Sequence, residues 1–265
     1  MRKICIVNEK GGVGKTTSTV NIAAGLSRMD KKVLILDLDP QGSIGTCLND
    51  VSQKDMFDFL MEGAHVRECI KSMGKNLDII TSKDNLVDAE LAFVGKKNNL
   101  AILREKLTGL SAYDYVLIDC PPSLSLLTQN ALLYANEAFI PVSTDFLGLK
   151  GLRKVYKLVK SIGDKFDHDV KVTKIIPTLY DARSRHCTKI LTEIKNEYYE
   201  LVSDPIRVNT KLKEAPQHGQ SIFKYAKSSR GAKDYMKVVQ SIVYDESRYN
   251  VKVPSTNGKA AVAAN

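Results

Sequence analysis

Residues 4–17, Ile4-Cys5-Ile6-Val7-Asn8-Glu9-Lys10-Gly11-Gly12-Val13-Gly14-Lys15-Thr16-Thr17, restrict the fold more than any other stretch of this chain. Four apolar, mostly β-branched residues predict a buried parallel strand. A glycine-rich turn follows, and then Lys15-Thr16-Thr17 opens a segment with Ile22, Ala23 and Leu26 on one helical face. Strand, glycine loop and helix start are the context a phosphate-binding loop requires. Glycines let the backbone curl so that its N–H groups face phosphate oxygens, and the helix start adds the positive end of its dipole. Lys15 then sets a charge against β/γ phosphates, and the Thr16 hydroxyl is offered to Mg²⁺. The strict pattern G-x4-G-K-[ST] needs glycine at position 9, where this chain has Glu9. The loop is a variant with a second lysine, Lys10, at its entrance.

Two further strands end in acid. The run ending in Asp37 leads into Asp39-Pro40-Gln41-Gly42, and Tyr113–Asp119 leads into Cys120-Pro121-Pro122. In a doubly wound sheet these carboxylates reach the edge that carries the phosphate loop. Asp119 suits Mg²⁺, held through water, and Asp37 joins Thr16 and Asp119 as a candidate metal residue. Asp39 is placed to orient or deprotonate an attacking water. Strands are also expected at 77–81, 138–142 and 170–179. Helices are expected at 100–107, 149–162, 186–199 and 232–244, with short helical pieces over 43–75, and Ser123 is the expected cap of the helix carrying Leu127 and Ala131. Strands alternating with helices predict an α/β fold, a doubly wound, mostly parallel sheet flanked by helices.

At 265 residues one domain is the natural reading, expected at 1–246 with a polar, disordered tail at 247–265. The chain enters its first strand almost at once, which argues against a signal peptide, and no apolar run is long enough for a membrane span. Five scattered cysteines without C-x-x-C spacing read as reduced thiols in a cytoplasmic protein. Residues 1–149 hold 16 Lys and Arg against 18 Asp and Glu, whereas 150–265 hold 23 against 12. The basic excess of the second part fits a polyanion such as DNA.

Lys10–Thr17, Asp37–Gly42 and Ile118–Ser123 together resemble the nucleotide motifs of the ParA/Soj family, deviant-Walker partition ATPases within a wider group that includes MinD. The likeness continues through Leu179–Arg183, Glu214–Gly219 and Ser229–Ala232, and so covers about residues 1–245. It implies ATP and Mg²⁺ as cofactors, with Gly11, Gly12, Val13, Gly14, Lys15, Thr16 and Thr17 around the phosphates. Pro205, Ile206, Arg207 and Asn209 lie in the family segment beside the adenine. Lys10 matches the lysine that crosses to a partner's nucleotide, Asp39 the residue that positions water, and Asp119 the Walker B acid. Gly11 and Gly12 fall where two subunits face each other.

Arg183 and Lys211 match DNA-binding positions, and Arg185, Lys213, Lys224, Lys227 and Arg230 extend that patch. The implied cycle is an ATP-bound homodimer on non-specific DNA, released by hydrolysis that a ParB-like partner stimulates. Chromosome or plasmid segregation at the nucleoid is the implied process. The alternative is a MinD-like membrane-associated or cargo-positioning ATPase. The sequence departs from the family pattern at Glu9, where glutamine is common, and at Lys150, where glutamate is common.

Overall fold

The computed structural model describes residues 1–50, 52–108 and 110–250. Seven strands form one sheet. They are β1 (Arg2–Ile6), β2 (Val33–Asp37), β3 (Lys71–Gly74), β4 (Leu77–Ile80), β5 (Tyr115–Asp119), β6 (Glu137–Ser143) and β7 (Lys171–Thr178), in the spatial order β3-β4-β2-β5-β1-β6-β7. All neighbours are parallel except the edge pair β3–β4. β1 lies near the centre, and the strand order reverses direction about it, which is where a doubly wound sheet opens a ligand crevice.

Successive strand residues feed opposite cores, as the two-residue pleat requires. Cys5, Leu34, Leu36, Val116 and Ile118 belong to one core, and Ile4, Ile6, Ile35, Tyr115 and Leu117 to the other. Both faces are covered, so the strands read as unbroken apolar runs and not as alternation. The first core is closed by α3 (Met56–Met61), α5 (Leu86–Phe93), α7 (Leu126–Tyr134), α8 (Phe146–Phe166) and α9 (Arg185–Tyr198). The second is closed by α1 (Lys15–Arg28), α2 (Ser43–Leu48), α11 (Ile222–Tyr225) and α12 (Arg230–Asn250). The short helices α4 (Val66–Cys69), α6 (Ile102–Lys106) and α10 (Thr210–Glu214) lie in connections.

The expected strands and helices are present, with differences at four places. β3 is an antiparallel edge strand that the sequence does not announce, being polar and largely exposed. α7 is not capped by the Ser123 side chain. It begins at Leu126, whose N–H is accepted by Glu90 at 2.6 Å, while Ser123 accepts the Thr128 hydroxyl through its carbonyl. α8 starts three residues before the expected Leu149, because the Asp145 carboxylate accepts the Gly148 N–H and caps it there. α12 continues to Asn250, and the rest of the expected tail, 251–265, lies outside the described residues. All five cysteines are free, and Cys5, Cys69 and Cys120 are buried. Among the described residues no helix is long and apolar enough to cross a membrane.

Candidate nucleotide site

The phosphate loop leaves the carboxyl end of β1 and enters α1. Gly12 and Gly14 take left-handed backbone angles, φ 73° and 89°, which glycine adopts without strain. Thr178 at the end of β7 donates its hydroxyl to the Val13 carbonyl at 2.7 Å. Asn8 ties the loop's entrance to β6: its amide donates to the Pro141 carbonyl at 2.7 Å, and its Oδ1 accepts the Lys10 N–H at 3.0 Å. The loop is therefore braced on both sides before any ligand arrives.

Lys15 is buried, and its ammonium donates to the Lys10 carbonyl within the loop at 3.3 Å. Burial pulls its pKa below the usual lysine value, against the fields of Asp119, Cys120 and Asp39. Asp119 is fully buried and accepts the hydroxyls of Thr16, at 2.7 Å, and Thr19, at 2.9 Å. Burial is the main reason its pKa rises to about 6; the two hydroxyls act the other way. Asp37, its register partner on β2, is also held well above the carboxylate range by burial and then by the Asp119 charge. Its two oxygens accept the N–H groups of Asp39 and Ile44, at 3.0 and 3.1 Å, so Asp37 shapes the turn that carries Asp39. Asp39 in turn accepts the Gln41 N–H, which fixes the direction of its carboxylate. The sequence-expected set Thr16, Asp37, Asp119 thus divides: Thr16 and Asp119 meet, and Asp37 supports the turn beside them. Among the described residues, no cluster of three or more His, Cys, Asp or Glu has the look of a metal centre. A cation here would need phosphate oxygens and water to complete its ligands, which is how Mg²⁺ is usually held.

Lys10 points elsewhere. Its ammonium lies 2.9 Å from both oxygens of Asp145 and 3.1 Å from the Ser143 hydroxyl. Gly11 has open space where a Cβ would stand, and its φ lies outside the left-handed range. Glu9 pairs with Lys154 at 2.6 Å, and Lys150 lines a cleft of about 870 Å³ beside Lys10 together with Pro122, Leu147 and Lys157. Both departures from the family pattern therefore lie on this surface.

A second cleft, of about 460 Å³, runs from Gly12, Gly14 and Thr17 to Ile206, Arg207 and Asn209. This continuity is what a bound nucleoside needs: phosphates at the loop, base against 206–209. Pro205 is not among the cleft's walls, while Leu179, Leu212 and Tyr235 are, none of them expected from sequence. Lys213, expected with the basic patch, also lines this cleft. A third cleft, of about 770 Å³, gathers Lys211, Lys227 and Arg230 with Asn209, Ser228 and Tyr225, and no acid lines it. Lys224 and Arg183 are not part of it. Arg183 is exposed and forked onto Asp181, and Lys211 is paired with Glu214 at 2.8 Å.

Leu179, Leu212 and Tyr235 line the cleft, and the other residues missed by sequence reasoning hold those it named. Thr19 had a local signal, lying one helical turn beyond Thr16. Asn8 lies within the loop segment itself, whereas Thr178 and Asp145 join the site from distant segments.

Residues 1–172 match the AAA domain family. The chain is 36% identical over 246 residues to the sporulation initiation inhibitor protein Soj of Bacillus subtilis, covering 90% of this chain and 97% of that protein. It is 34% identical over 245 residues to the chromosome-partitioning ATPase Soj of Treponema pallidum, covering 91% and 97%. Among solved structures it resembles cobyrinic acid a,c-diamide synthase of Mycobacterium smegmatis with bound ATP analog and magnesium. That match has TM-score 0.80 and 25% identity, over 93% of this chain and 96% of the other. With the strand–loop–helix, the paired acids and these relatives in agreement over nearly the whole length, the chain belongs to the ParA/Soj family of partition ATPases.

Proposed function

We propose that this chain is a DNA-partition switch: with ATP and Mg²⁺ it forms a homodimer that binds DNA without regard to sequence, and hydrolysis releases it. The observation that carries the reading is a shared wall. Val208 and Asn209 line both the nucleotide cleft and the basic cleft of Lys211, Lys227 and Arg230. A ligand that moves this wall changes both sites, which is the requirement for coupling them.

In this reading Lys15 holds the β/γ phosphates, and Thr16 with Asp119, acting through water, hold Mg²⁺. The ion supplies charge neutralisation to the phosphates and to the buried carboxylates. Asp39, oriented by the Gln41 N–H, positions the attacking water. Lys10 leaves Asp145 and reaches the nucleotide of the other subunit, completing a site that one chain lacks. Gly11 supports the dimer: nothing within the chain requires glycine there, whereas a facing subunit would. A ParB-like activator is proposed to act from the cleft that Lys10 lines with Lys150 and Leu147. The protein would work in the cytoplasm at the nucleoid.

The test is fluorescence anisotropy on two unrelated duplexes with ATP, ADP or no nucleotide, over a salt series. Binding should require ATP, ignore sequence and fall steeply with salt as counterions are released. Arg183→Glu with Lys211→Glu should weaken it on both duplexes and leave ATP-driven dimerisation intact. Equal affinity of wild type and the double variant would move the DNA surface elsewhere.

A further inference from the structure

The base wall has little regular structure of its own. After a short 3₁₀ turn at Tyr199–Leu201 the chain runs to α10 with two isolated bridges, Ile175 with Val202 and Tyr180 with Arg207. Its sheet-side hydrogen bonds are those of Ser203 N–H to the Ile175 carbonyl, Ile206 N–H to the Pro177 carbonyl, Tyr180 N–H to the Ile206 carbonyl, and Val208 N–H to the Tyr180 carbonyl. These set the wall's distance from β7. β7 in turn is tied to the phosphate loop, because Thr178 at its end donates to the Val13 carbonyl at 2.7 Å.

A second tie grips the wall from the side of α12. Asp234, in the second turn of α12, is buried, and its carboxylate accepts three bonds from Arg207 alone. The Arg207 N–H lies at 3.1 Å, Nε at 3.0 Å and Nη2 at 2.6 Å. Backbone and side chain of Arg207 are thus gripped at once, in the two-pronged geometry that fixes direction as well as distance. Arg207, which the family resemblance places in the segment beside the adenine, commits its guanidinium to this carboxylate. The adjacent Tyr235 is also buried, and its hydroxyl meets the Ser18 hydroxyl of α1 at 3.1 Å. Its neighbours Val238, Val239 and Ile242 pack with Val20, Ile22 and Leu26 of α1 in one core. Consecutive residues of one helix turn therefore hold the base wall and the phosphate helix.

We infer that Asp234 is a positioning residue for base recognition: through Arg207 it sets the spacing between base wall and phosphate loop, and so determines base affinity and selectivity without touching the phosphates. The inference rests on the reading that the base lies in the cleft between the phosphate loop and residues 206–209. A structural role alone would weaken all nucleotides together. The positioning role weakens one base and spares another, because two nucleoside triphosphates carry identical phosphates and differ only at the wall.

The experiment measures competition by ATP and by UTP against a fluorescent ribose-labelled ATP, with Mg²⁺, and takes the ratio of the two inhibition constants, in which the probe cancels. Wild type should prefer ATP. Asp234→Asn should lower that preference at least tenfold, through loss of ATP affinity, with UTP changed by less than threefold. Arg207→Lys, which keeps the charge and the backbone bond but loses the fork, should give an intermediate ratio and serves if Asp234→Asn folds poorly. Val208→Trp, which fills the cleft from its wall, should also lower the preference. An unchanged ratio in Asp234→Asn and Arg207→Lys, or equal losses for ATP and UTP, overturns the positioning role. A wild type without base preference, or Val208→Trp with unchanged ATP affinity, overturns the placement of the base itself.

Discussion

Replacing Asp145 by asparagine should tighten the ATP dimer. If Lys10 acts across the interface, each subunit must first break its contact with Asp145, where the ammonium lies 2.9 Å from both carboxylate oxygens. The two side chains are 33% and 42% exposed, so the pair belongs with surface ion pairs, worth about 0.5–1 kcal/mol. Two such pairs break per dimer, a cost of about 1–2 kcal/mol, or roughly 5–30-fold in the dimer dissociation constant. Asparagine keeps an oxygen for the Gly148 N–H, so the α8 cap survives and stability should change little. Sedimentation velocity at saturating ATP and Mg²⁺, in an Asp39→Ala background to hold the triphosphate, reads the constant directly. The difference should shrink as salt screens the pair. A dimer of unchanged or weaker affinity in Asp145→Asn, with monomer nucleotide binding intact, would refute the idea that Lys10 must be drawn off Asp145.

Lys15→Ala should abolish ATP binding, while Asp39→Ala should retain binding and dimerisation but lose hydrolysis; calorimetry and phosphate release separate the two. Gly11→Val should melt within about 1 °C of wild type, because its Cβ would meet nothing within 4 Å, yet sizing with ATP should show only monomer. Asp119 binds its proton more tightly folded than unfolded, with a pKa of about 6 against an ordinary 3.8. The ligand-free protein should therefore lose stability as pH rises from about 4 to about 6. Urea titrations across that range should show the slope, and Asp119→Asn should flatten it.

The parts of the site that can be read in sequence are those where chemistry is local. Strand, glycine turn and helix start lie within fourteen residues at 4–17, Lys15, Thr16 and Asp39 follow an apolar strand by a short step, and Asp119 ends one. The parallel sheet was legible for the same reason: β1, β2, β5 and β6 are buried on both faces and so carry unbroken apolar runs. β3 was not legible, because an edge strand of Lys-Ser-Met-Gly has only one paired side and little apolar face to show.

The supporting contacts failed to show for a different reason. Thr178 reaches Val13 across 165 residues, Asp145 reaches Lys10 across 135, and Asp234 reaches Arg207 across 27. Each partner is an unremarkable polar residue within its own segment, and only the sheet order brings it to the site. Asp37 is a different case, named from sequence as a candidate metal residue at the end of its strand and making these contacts locally. In the fold its oxygens are taken by the N–H groups of Asp39 and Ile44, because a turn at the sheet edge has to satisfy its buried amides from somewhere. A motif therefore names the groups proposed to touch the ligand. The groups that fix their distances, on which turnover and selectivity depend, are set by topology, and the Asp234–Arg207 contact between α12 and the base wall is the place where that division can be measured.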